Sequence, residues 1–475
     1  MSNYSVVEYF GKNVSKCGYC KQNEGSKCHG MWTHCLTVQD YQDLIDRGWR
    51  RSGKYCYKPI MDESCCKLYT IKCAALNLQL SKSQKKNVKN VNKFLSNGIK
   101  DSTVCEDVHS LACGDQMNID NKPTTLMTNR VDDIEAIGIG SEISMANTTD
   151  HVSNSSEAND NNHCLEEKSS IKSVKQGLGA DLTRPPCKKA KVLRMERKKA
   201  KLLERGVVLE EKLQSKNVDK TLEDLVNNIP DKSVHKLECR LLHIQSSEFL
   251  DTVKESFIIY HKYQTVIHKE PSDECDFKSF EDFLCDSPLE SLGDFGSFHQ
   301  QYYLDGKLIA VGVIDILPSC VSSVYFYYDP DYGHMSLGTY GALRELMLVR
   351  QLNQKYPDLK YYYMGYYIHT CLKMKYKARL RPSFLLCPVT YTWISIEKCL
   401  PKIDASPYSR LSSDGEDLNY CNENDLSKVR VLWGRTIHYY YMYARNNEEA
   451  DAHEVLEYAR LIGKTLSRRM LLYRQ

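Results

Sequence analysis

Eight cysteines fall within the first 98 residues, and their spacing predicts a metal site. Cys17 and Cys20 enclose two residues, a spacing that lets both sulfurs face one metal on a tight turn, and Cys65 and Cys66 form a second pair. Four thiolates can hold zinc or an iron–sulfur cluster. Adjacent side chains diverge, so a cluster, or a ligand set in which Cys73 replaces one of the pair, would ease the geometry. The alternatives are a structural zinc knuckle, a redox-sensing cluster and no bound metal.

A strongly basic stretch, residues 184–205, has ten Lys and Arg residues against two glutamates. A thin apolar stripe predicts a helix here. The helix could be a solvated surface element, an RNA-backbone contact or a nuclear import signal. The candidate RNA-binding residues are Lys188, Lys189, Arg194, Arg197 and Lys198.

The chain changes composition along its length, which predicts four segments. Residues 1–98 form a small Cys-rich domain, and residues 99–183, rich in Asn, Asp, Ser and Thr without periodicity, form a disordered polar linker. Residues 184–234 are the basic helical segment, and residues 235–475 form an aromatic-rich catalytic domain. Hydrophobic periodicity predicts helices at 81–97, 247–262 and 337–356, and strands at 54–58, 68–73, 240–244, 298–304, 307–316, 322–328 and 361–367. This order indicates an α/β (α+β) fold.

Length, charge and hydropathy restrict the class of protein. A chain of 475 residues can bury a sizeable core, and a net charge of +3 means that any nucleic-acid surface is local. No apolar run approaches the roughly 18 residues that a membrane span needs. The N-terminus also lacks the apolar stretch of a signal peptide. We therefore expect a monomer of the cytoplasm and nucleus, without disulfides and without a membrane partner.

Several long phrases of the sequence resemble the arginyl-tRNA–protein transferase family. They begin with Cys17-Gly-Tyr-Cys20 and continue, in the family's order, on both sides of the linker. The match covers about residues 9–98 and 235–400. The remaining phrases are residues 46–51, 69–72, 296–302, 305–315, 323–331, 336–340 and 365–376.

The resemblance implies a core like that of the acyl-CoA N-acetyltransferases, used with aminoacyl-tRNA. It implies transfer of arginine from Arg-tRNA to the N-terminal α-amine of proteins that begin with Asp, Glu or oxidised Cys, which marks them for N-degron degradation. The donor is an activated ester, so no ATP is needed, and Gly463-Lys464-Thr465 lacks the upstream glycine of a phosphate loop. Acetyl-CoA is not implied either, because the turn before Gly338 lacks the leading Arg or Gln of acetyltransferases.

Candidate catalytic residues within the resemblance are His299, Gln300, Gln301 and Asp315. His299 could act as the base or orient the amine, although a satisfied core histidine is an equally good interpretation. Asp315, or one of two turn aspartates at 329 and 331, could hold the arginine guanidinium with two hydrogen bonds.

Candidate substrate residues surround the predicted strand 361–367 and the turn that precedes the helix at 337. The basic ones could read an acidic side chain and the tyrosines could stack on bases, or these residues could be solvated lysines and core tyrosines. They are Asp331, Tyr332, Gly338, Thr339, Tyr340, Tyr366, His369, Lys373, Lys375 and Tyr376. The competing functions are an acyl-CoA-dependent acetyltransferase and a non-enzymatic zinc- and RNA-binding adaptor.

Overall fold

The computed structural model describes residues 4–99, 220–230, 232–413, 415–447 and 451–474, together with Arg194, Glu196 and Arg197. The described residues between 4 and 99 and between 220 and 474 belong to one compact unit. The predicted linker therefore lies, apart from Ile99, outside the described residues.

Sixteen strands in the described residues form two mixed sheets. The first sheet has the order β15-β14-β16-β1-β2-β4-β3, with β7 paired to β2, and the second has the order β13-β12-β5-β11-β10-β9-β8-β6. The strands are β1 (Val6–Ser15), β2 (Ser26–Thr37), β3 (Arg50–Ser52), β4 (Tyr55–Pro59), β5 (Tyr69–Ala74), β6 (Leu237–His243), β7 (Leu289–Glu290), β8 (Gly296–Leu304), β9 (Lys307–Leu317), β10 (Cys320–Tyr328), β11 (Tyr361–Tyr367), β12 (Ser383–Leu386), β13 (Trp393–Ser395), β14 (Arg430–Trp433), β15 (Thr436–Tyr439) and β16 (Leu471–Arg474).

Ten α-helices surround these sheets in the described part of the chain. They are α1 (Val38–Ile45), α2 (Lys82–Asn97), α3 (Leu222–Val226), α4 (Ser247–Tyr263), α5 (Phe277–Phe280), α6 (Leu337–Asn353), α7 (Ile396–Ala405), α8 (Tyr440–Asn446), α9 (Ala452–Ile462) and α10 (Lys464–Ser467). None of them is long and apolar enough to cross a membrane.

The N-terminal and C-terminal segments are not separate domains, contrary to the predicted boundaries at 98 and 235. Strand β5 from the Cys-rich segment lies between β11 and β12 in the second sheet. In the first sheet, β1 pairs with β16 near the C-terminus. The sequence pattern could not show this because a strand's partner depends on long-range packing and not on its own periodicity.

Local signals correctly predicted several elements. Helix α2 begins at a capping box in which Ser81 and Gln84 satisfy each other's backbone N–H groups. Strands β8 and β9 form the predicted hairpin, with positive φ angles of 51° at Asp305 and 85° at Gly306, as a tight turn of this type requires. The mixed α+β class is confirmed by the two sheets and their helices.

The second sheet contains an unusual junction between β10 and β11. Strands β8, β9 and β10 are antiparallel neighbours, the chain then forms α6, and β11 returns parallel to β10. The parallel pairing is confined to Cys320–Ser322 against Tyr361–Tyr363. Strand β10 also has a register irregularity between Ser323 and Tyr325. Beyond this point the two strands are no longer hydrogen-bonded to each other.

Candidate active site

A cleft opens where β10 and β11 part, and we call it the strand cleft. Its walls come from both sheets, because β3 and β4 approach the ends of β10 and β11 there. The lining residues are Tyr41, Arg50, Arg51, Ser52, Tyr57, Phe283, Ser322, Ser323, Val324, Gly365 and Tyr366. The space amounts to about 430 Å³, including the part open to solvent. Two arginines, three serines and four aromatic rings give it the mixed polar and apolar character of a small-molecule site.

Arg50 is a buried cation in the strand cleft that forms no direct ion pair with a carboxylate among the described residues, although the buried Asp46 interacts with it at longer range. Its side chain donates to the carbonyl oxygens of Trp49 at 2.7 Å and Ile45 at 3.3 Å, and its Nε has no acceptor. The guanidinium also lies over the ring of Tyr366, 5.3 Å from its centroid. A buried positive charge of this kind favours an anionic ligand, because carbonyl dipoles replace only part of its lost hydration.

Arg51, the next residue, is neutralised inside the protein. Its Nε and one terminal nitrogen donate to both oxygens of Asp315, at 2.8 and 2.6 Å, and Ser297 donates to the same carboxylate at 2.7 Å. Asp315 thus holds a guanidinium with two hydrogen bonds, but this guanidinium belongs to Arg51 and not to the substrate arginine for which Asp315 was a candidate. Because both side chains are buried, Asp315 is not available to a substrate arginine in this structure.

The predicted polar cluster of β8 is buried in the sheet and does not line the strand cleft. The Nε2 of His299 pairs with the carbonyl oxygen of Leu284 at 3.0 Å, and burial lowers the pKa of His299 to about 4. Gln300 accepts a hydrogen bond from Tyr302 at 2.6 Å, and Gln301 accepts one from Tyr303 at 2.8 Å. A buried core histidine is therefore the interpretation that the geometry favours, because His299 is 0% exposed and does not line the strand cleft, although its Nδ1 has no hydrogen-bond partner among the described residues.

The predicted substrate residues beyond β11 do not form one helical face, because this segment folds into two short turns, Leu372–Met374 and Lys377–Arg379. His369 lies between Tyr367 at 2.8 Å and Asp404 at 2.7 Å. Lys373 and Lys375 are exposed and Tyr376 is partly buried. Of the predicted substrate residues, only Tyr366 lines the strand cleft.

The other predicted substrate residues belong to the turn Pro330–Met335 and the start of α6. The exposed Asp331 pairs with Lys262, and Tyr332, Gly338 and Thr339 are partly exposed. Tyr340 is completely buried. Helix α2 packs over this turn, where Asn87 donates to the carbonyl of Met335 at 3.3 Å.

The four predicted metal ligands come together, and we call them the cysteine cluster. The sulfurs of Cys17, Cys20, Cys65 and Cys66 all lie within 4.8 Å of one another. Zinc bound at about 2.3 Å to four sulfurs places them about 3.8 Å apart, so the set fits one tetrahedral ion with little movement. The adjacent residues Cys65 and Cys66 can therefore both reach one ion, although adjacent side chains usually diverge. Cys73 does not replace either of them, because it is buried in β5 outside the cluster.

The electrostatics of the cysteine cluster also suit a cation. A hydrogen bond from Cys66 is the main cause that lowers the pKa of Cys17 to about 4, and burial is the main cause that raises the pKa of Cys65 to about 12. The hydrogen bond with Cys17 raises the pKa of Cys66 as well. The first thiolate therefore opposes ionisation of its neighbours, and a metal ion would remove this opposition.

Two tyrosines connect the cysteine cluster with the strand cleft. Tyr57 and Tyr366 pack against Cys17 and Cys66 on one side and line the strand cleft on the other. Their ring centroids are 6.3 Å apart. The cluster therefore supports one wall of the cleft.

The predicted RNA-binding residues lie mostly outside the described part of the chain. Arg194 and Arg197 are helical and exposed, whereas Lys188, Lys189 and Lys198 are not described. Sequence reasoning assigned no role to Arg50 and Arg51. The one feature of the sequence that pointed to them was that they end the phrase 46–51, which resembles the family. The residues that they contact lie far along the chain.

Comparison with known proteins agrees with the resemblance in the sequence. Two family models match, described as "Arginine-tRNA-protein transferase, N terminus" over residues 15–86 and "Arginine-tRNA-protein transferase, C terminus" over residues 255–387. Arginyl-tRNA–protein transferase 1 of Drosophila melanogaster is 41% identical, with 98% of this chain and 99% of the relative covered. Arginyl-tRNA–protein transferase 2 of Arabidopsis thaliana is 34% identical over 86% of this chain and 78% of the relative.

A shorter similarity extends to a bacterial protein. The aspartate/glutamate leucyltransferase of Campylobacter jejuni is 30% identical over 135 residues, which are 28% of this chain and 52% of the relative. The near full-length similarity to the fly protein is decisive for the family. This chain belongs to the arginyl-tRNA–protein transferases and is an aminoacyltransferase.

Proposed function

We propose that the strand cleft transfers arginine from Arg-tRNA to the N-terminal α-amine of proteins whose first residue is acidic. The observation that supports this acceptor class is Arg50, a buried cation in the cleft that forms no direct ion pair with a carboxylate among the described residues. A first-residue Asp, Glu or oxidised Cys supplies the missing anion. The name of the Campylobacter jejuni relative includes aspartate and glutamate, which agrees with an acidic acceptor.

The reaction needs alignment more than activation. Arginine on tRNA is an ester, and attack by an amine replaces it with a more stable amide, so neither ATP nor acetyl-CoA takes part. The protein must hold the neutral amine beside the ester carbonyl and stabilise the oxyanion. The serine hydroxyls and the aromatic rings of the strand cleft offer polar contacts and stacking surfaces for this task.

The arrangement of β8, β9, β10, α6 and β11 supports an acetyltransferase-like core as part of the proposal. Here α2 packs over the turn that leads into α6, where an acetyltransferase would receive pyrophosphate. This contact favours aminoacyl-tRNA over acetyl-CoA as the donor.

The metal, the pathway and the cellular location complete the proposal. The close packing of the cysteine cluster favours one zinc ion over an iron–sulfur cluster, because a cluster distributes its four thiolates over two or four irons and so holds them farther apart. Degradation of the arginylated proteins and residence in the cytoplasm and nucleus are proposed from the family resemblance.

The test is transfer of labelled arginine from Arg-tRNA to peptides that begin with Asp, Glu, Asn or Gly, without ATP or acetyl-CoA. We expect label on the acidic peptides alone. Arg50→Gln should raise KM for the Asp peptide about 10- to 150-fold, as expected for loss of a hydrogen-bonded charge contact of about 1.5–3 kcal/mol.

Two controls make the result specific. Arg240→Gln removes an exposed arginine that pairs with Glu238 and should leave KM unchanged. Arg50→Lys keeps the charge but not the planar fork, so it should recover part of the affinity. Equal labelling of all four peptides, or an Arg50→Gln variant that still discriminates Asp from Asn, would contradict the proposed acceptor site.

A further inference from the structure

Glu345 is a buried carboxylate that the proposed function has not yet used. It lies on α6 with 1% of its surface exposed. Among the described residues no cation pairs with it. Its Oε2 accepts a hydrogen bond of 2.6 Å from the hydroxyl of Tyr362, and its carboxylate is also hydrogen-bonded by the side chain of Ser323. A carboxyl group without a cation in a helix–sheet interface either takes up a proton or carries a desolvation cost, so its presence requires a reason.

The position of Glu345 suggests that reason. Tyr362 belongs to β11 and Ser323 to β10, the two strands that part at the strand cleft. Ser323 stands at the register irregularity of β10 and also lines the cleft. One serine hydroxyl therefore separates the Glu345 carboxylate from the space in which the amine and the ester would meet.

The surface facing Glu345 is shaped to admit the carboxylate. A side-chain carbon at Gly312 of β9 would lie 2.8 Å from Oε1, so the carboxylate would have to move from its present position. Burial is the main cause that raises the pKa of Glu345 to about 7, and the hydrogen bonds from Tyr362 and Ser323 act in the opposite direction. The other titratable neighbour is Tyr302 of β8, while the adjacent Arg344 interacts with Tyr340 and Cys239.

We propose that Glu345 is the proton acceptor for aminoacyl transfer and acts through the hydroxyl of Ser323. As the acceptor's neutral α-amine forms its C–N bond to the arginyl carbonyl carbon, Ser323 takes one amine proton and passes its own proton to Glu345. When the C–O bond to the ribose breaks, the proton returns from Glu345 through Ser323 to the ribose oxygen. Ser323 would touch the substrate, whereas Glu345 is a positioning residue that sets the protonation of Ser323.

The proposed role of Glu345 rests on the proposed use of the strand cleft. It requires an ionisable carboxylate at position 345, whereas a purely structural role does not. A glutamate that only filled space and accepted two hydrogen bonds could be replaced by glutamine, which has the same shape and an amide oxygen. A glutamate that accepts a proton could not be replaced in this way, because the glutamine amide does not take up a proton in this pH range. The two roles therefore separate in the pH dependence of transfer.

The experiment measures steady-state transfer from saturating Arg-tRNA to an Asp peptide of varied concentration between pH 5.5 and 9, which gives kcat and KM separately. The peptide's amine titrates identically with every variant, so differences between profiles report the enzyme. We expect wild-type kcat to fall below about pH 7 as Glu345 is protonated. Glu345→Gln should lower kcat at pH 7.5 about 100-fold with little change in KM, the size typical of lost general-base catalysis.

A second variant keeps the proposal testable should Glu345→Gln fail to fold. Tyr362→Phe removes a hydrogen bond that lowers the pKa of Glu345, so the acidic limb of kcat should move to higher pH while the plateau is largely retained. Unchanged profiles for both variants, with thermal unfolding like the wild type, would overturn the proposal. Loss of transfer by wild-type protein to every peptide would instead contradict the proposed function itself.

Discussion

Replacement of Asp315 by asparagine should destabilise the fold far more than its single lost charge suggests. Asp315 is 0% exposed and receives two hydrogen bonds from Arg51 and one from Ser297. Arg51 would be left buried without an anion, with the neutral asparagine oxygen, the Ser297 hydroxyl at 3.2 Å and the Gly53 carbonyl at 3.3 Å as its acceptors. Removal of one partner of a buried ion pair typically costs about 3–5 kcal/mol, because the remaining charge stays desolvated.

The assay is urea unfolding followed by tryptophan fluorescence, to which the fully buried Trp49, two residues from Arg51, contributes. The matched control is Asp282→Asn, which breaks an exposed pair with Lys278 and should cost less than about 0.5 kcal/mol. The double variant Arg51→Met with Asp315→Leu should recover much of the loss, because it leaves no buried charge. A loss below about 1 kcal/mol for Asp315→Asn would refute the view that this pair joins β3 to β8 and β9.

Three further predictions concern the cysteine cluster, the buried histidine and a close helix–sheet contact. Cys17→Ser should abolish stoichiometric metal binding, measured by elemental analysis, and lower the melting temperature, whereas Cys35→Ser, outside the cluster, should do neither. His299 has a folded-state pKa of about 4 against about 6.5 unfolded, so the unfolded chain binds more protons between these values. The free energy of unfolding should therefore fall as pH decreases from about 6.5 to 4. The variant His299→Gln should remove up to about 3 kcal/mol of that decrease. It should also retain most of the transfer activity at pH 7.5. Gly341→Ala should destabilise the fold by about 1–3 kcal/mol in urea titration, because its new carbon would lie 2.3 Å from the Phe326 ring; a neutral effect would show that α6 can move away from β10.

The sequence by itself determined features that depend on neighbouring residues. The Asp305-Gly306 hairpin, the capping box at Ser81 and the period of the strands follow from local sterics and hydrogen bonding. The grouping of two cysteine pairs was also predictable, because thiolate ligands have a recognisable spacing. The family could be named from long phrases alone.

Only the tertiary structure decided which of the candidate groups meet. Asp315 and Arg51 are 264 residues apart, so no local pattern could reveal that this carboxylate is already occupied. The same is true of His299, whose burial depends on neighbouring strands and on the helical turn that supplies the Leu284 carbonyl. Arg50 and Glu345 become candidates because, among the described residues, one forms no direct ion pair with a carboxylate and the other none with a cation, and such a property belongs to the packed fold. Long-range pairing and desolvation, which a linear pattern does not contain, therefore decided the candidate site.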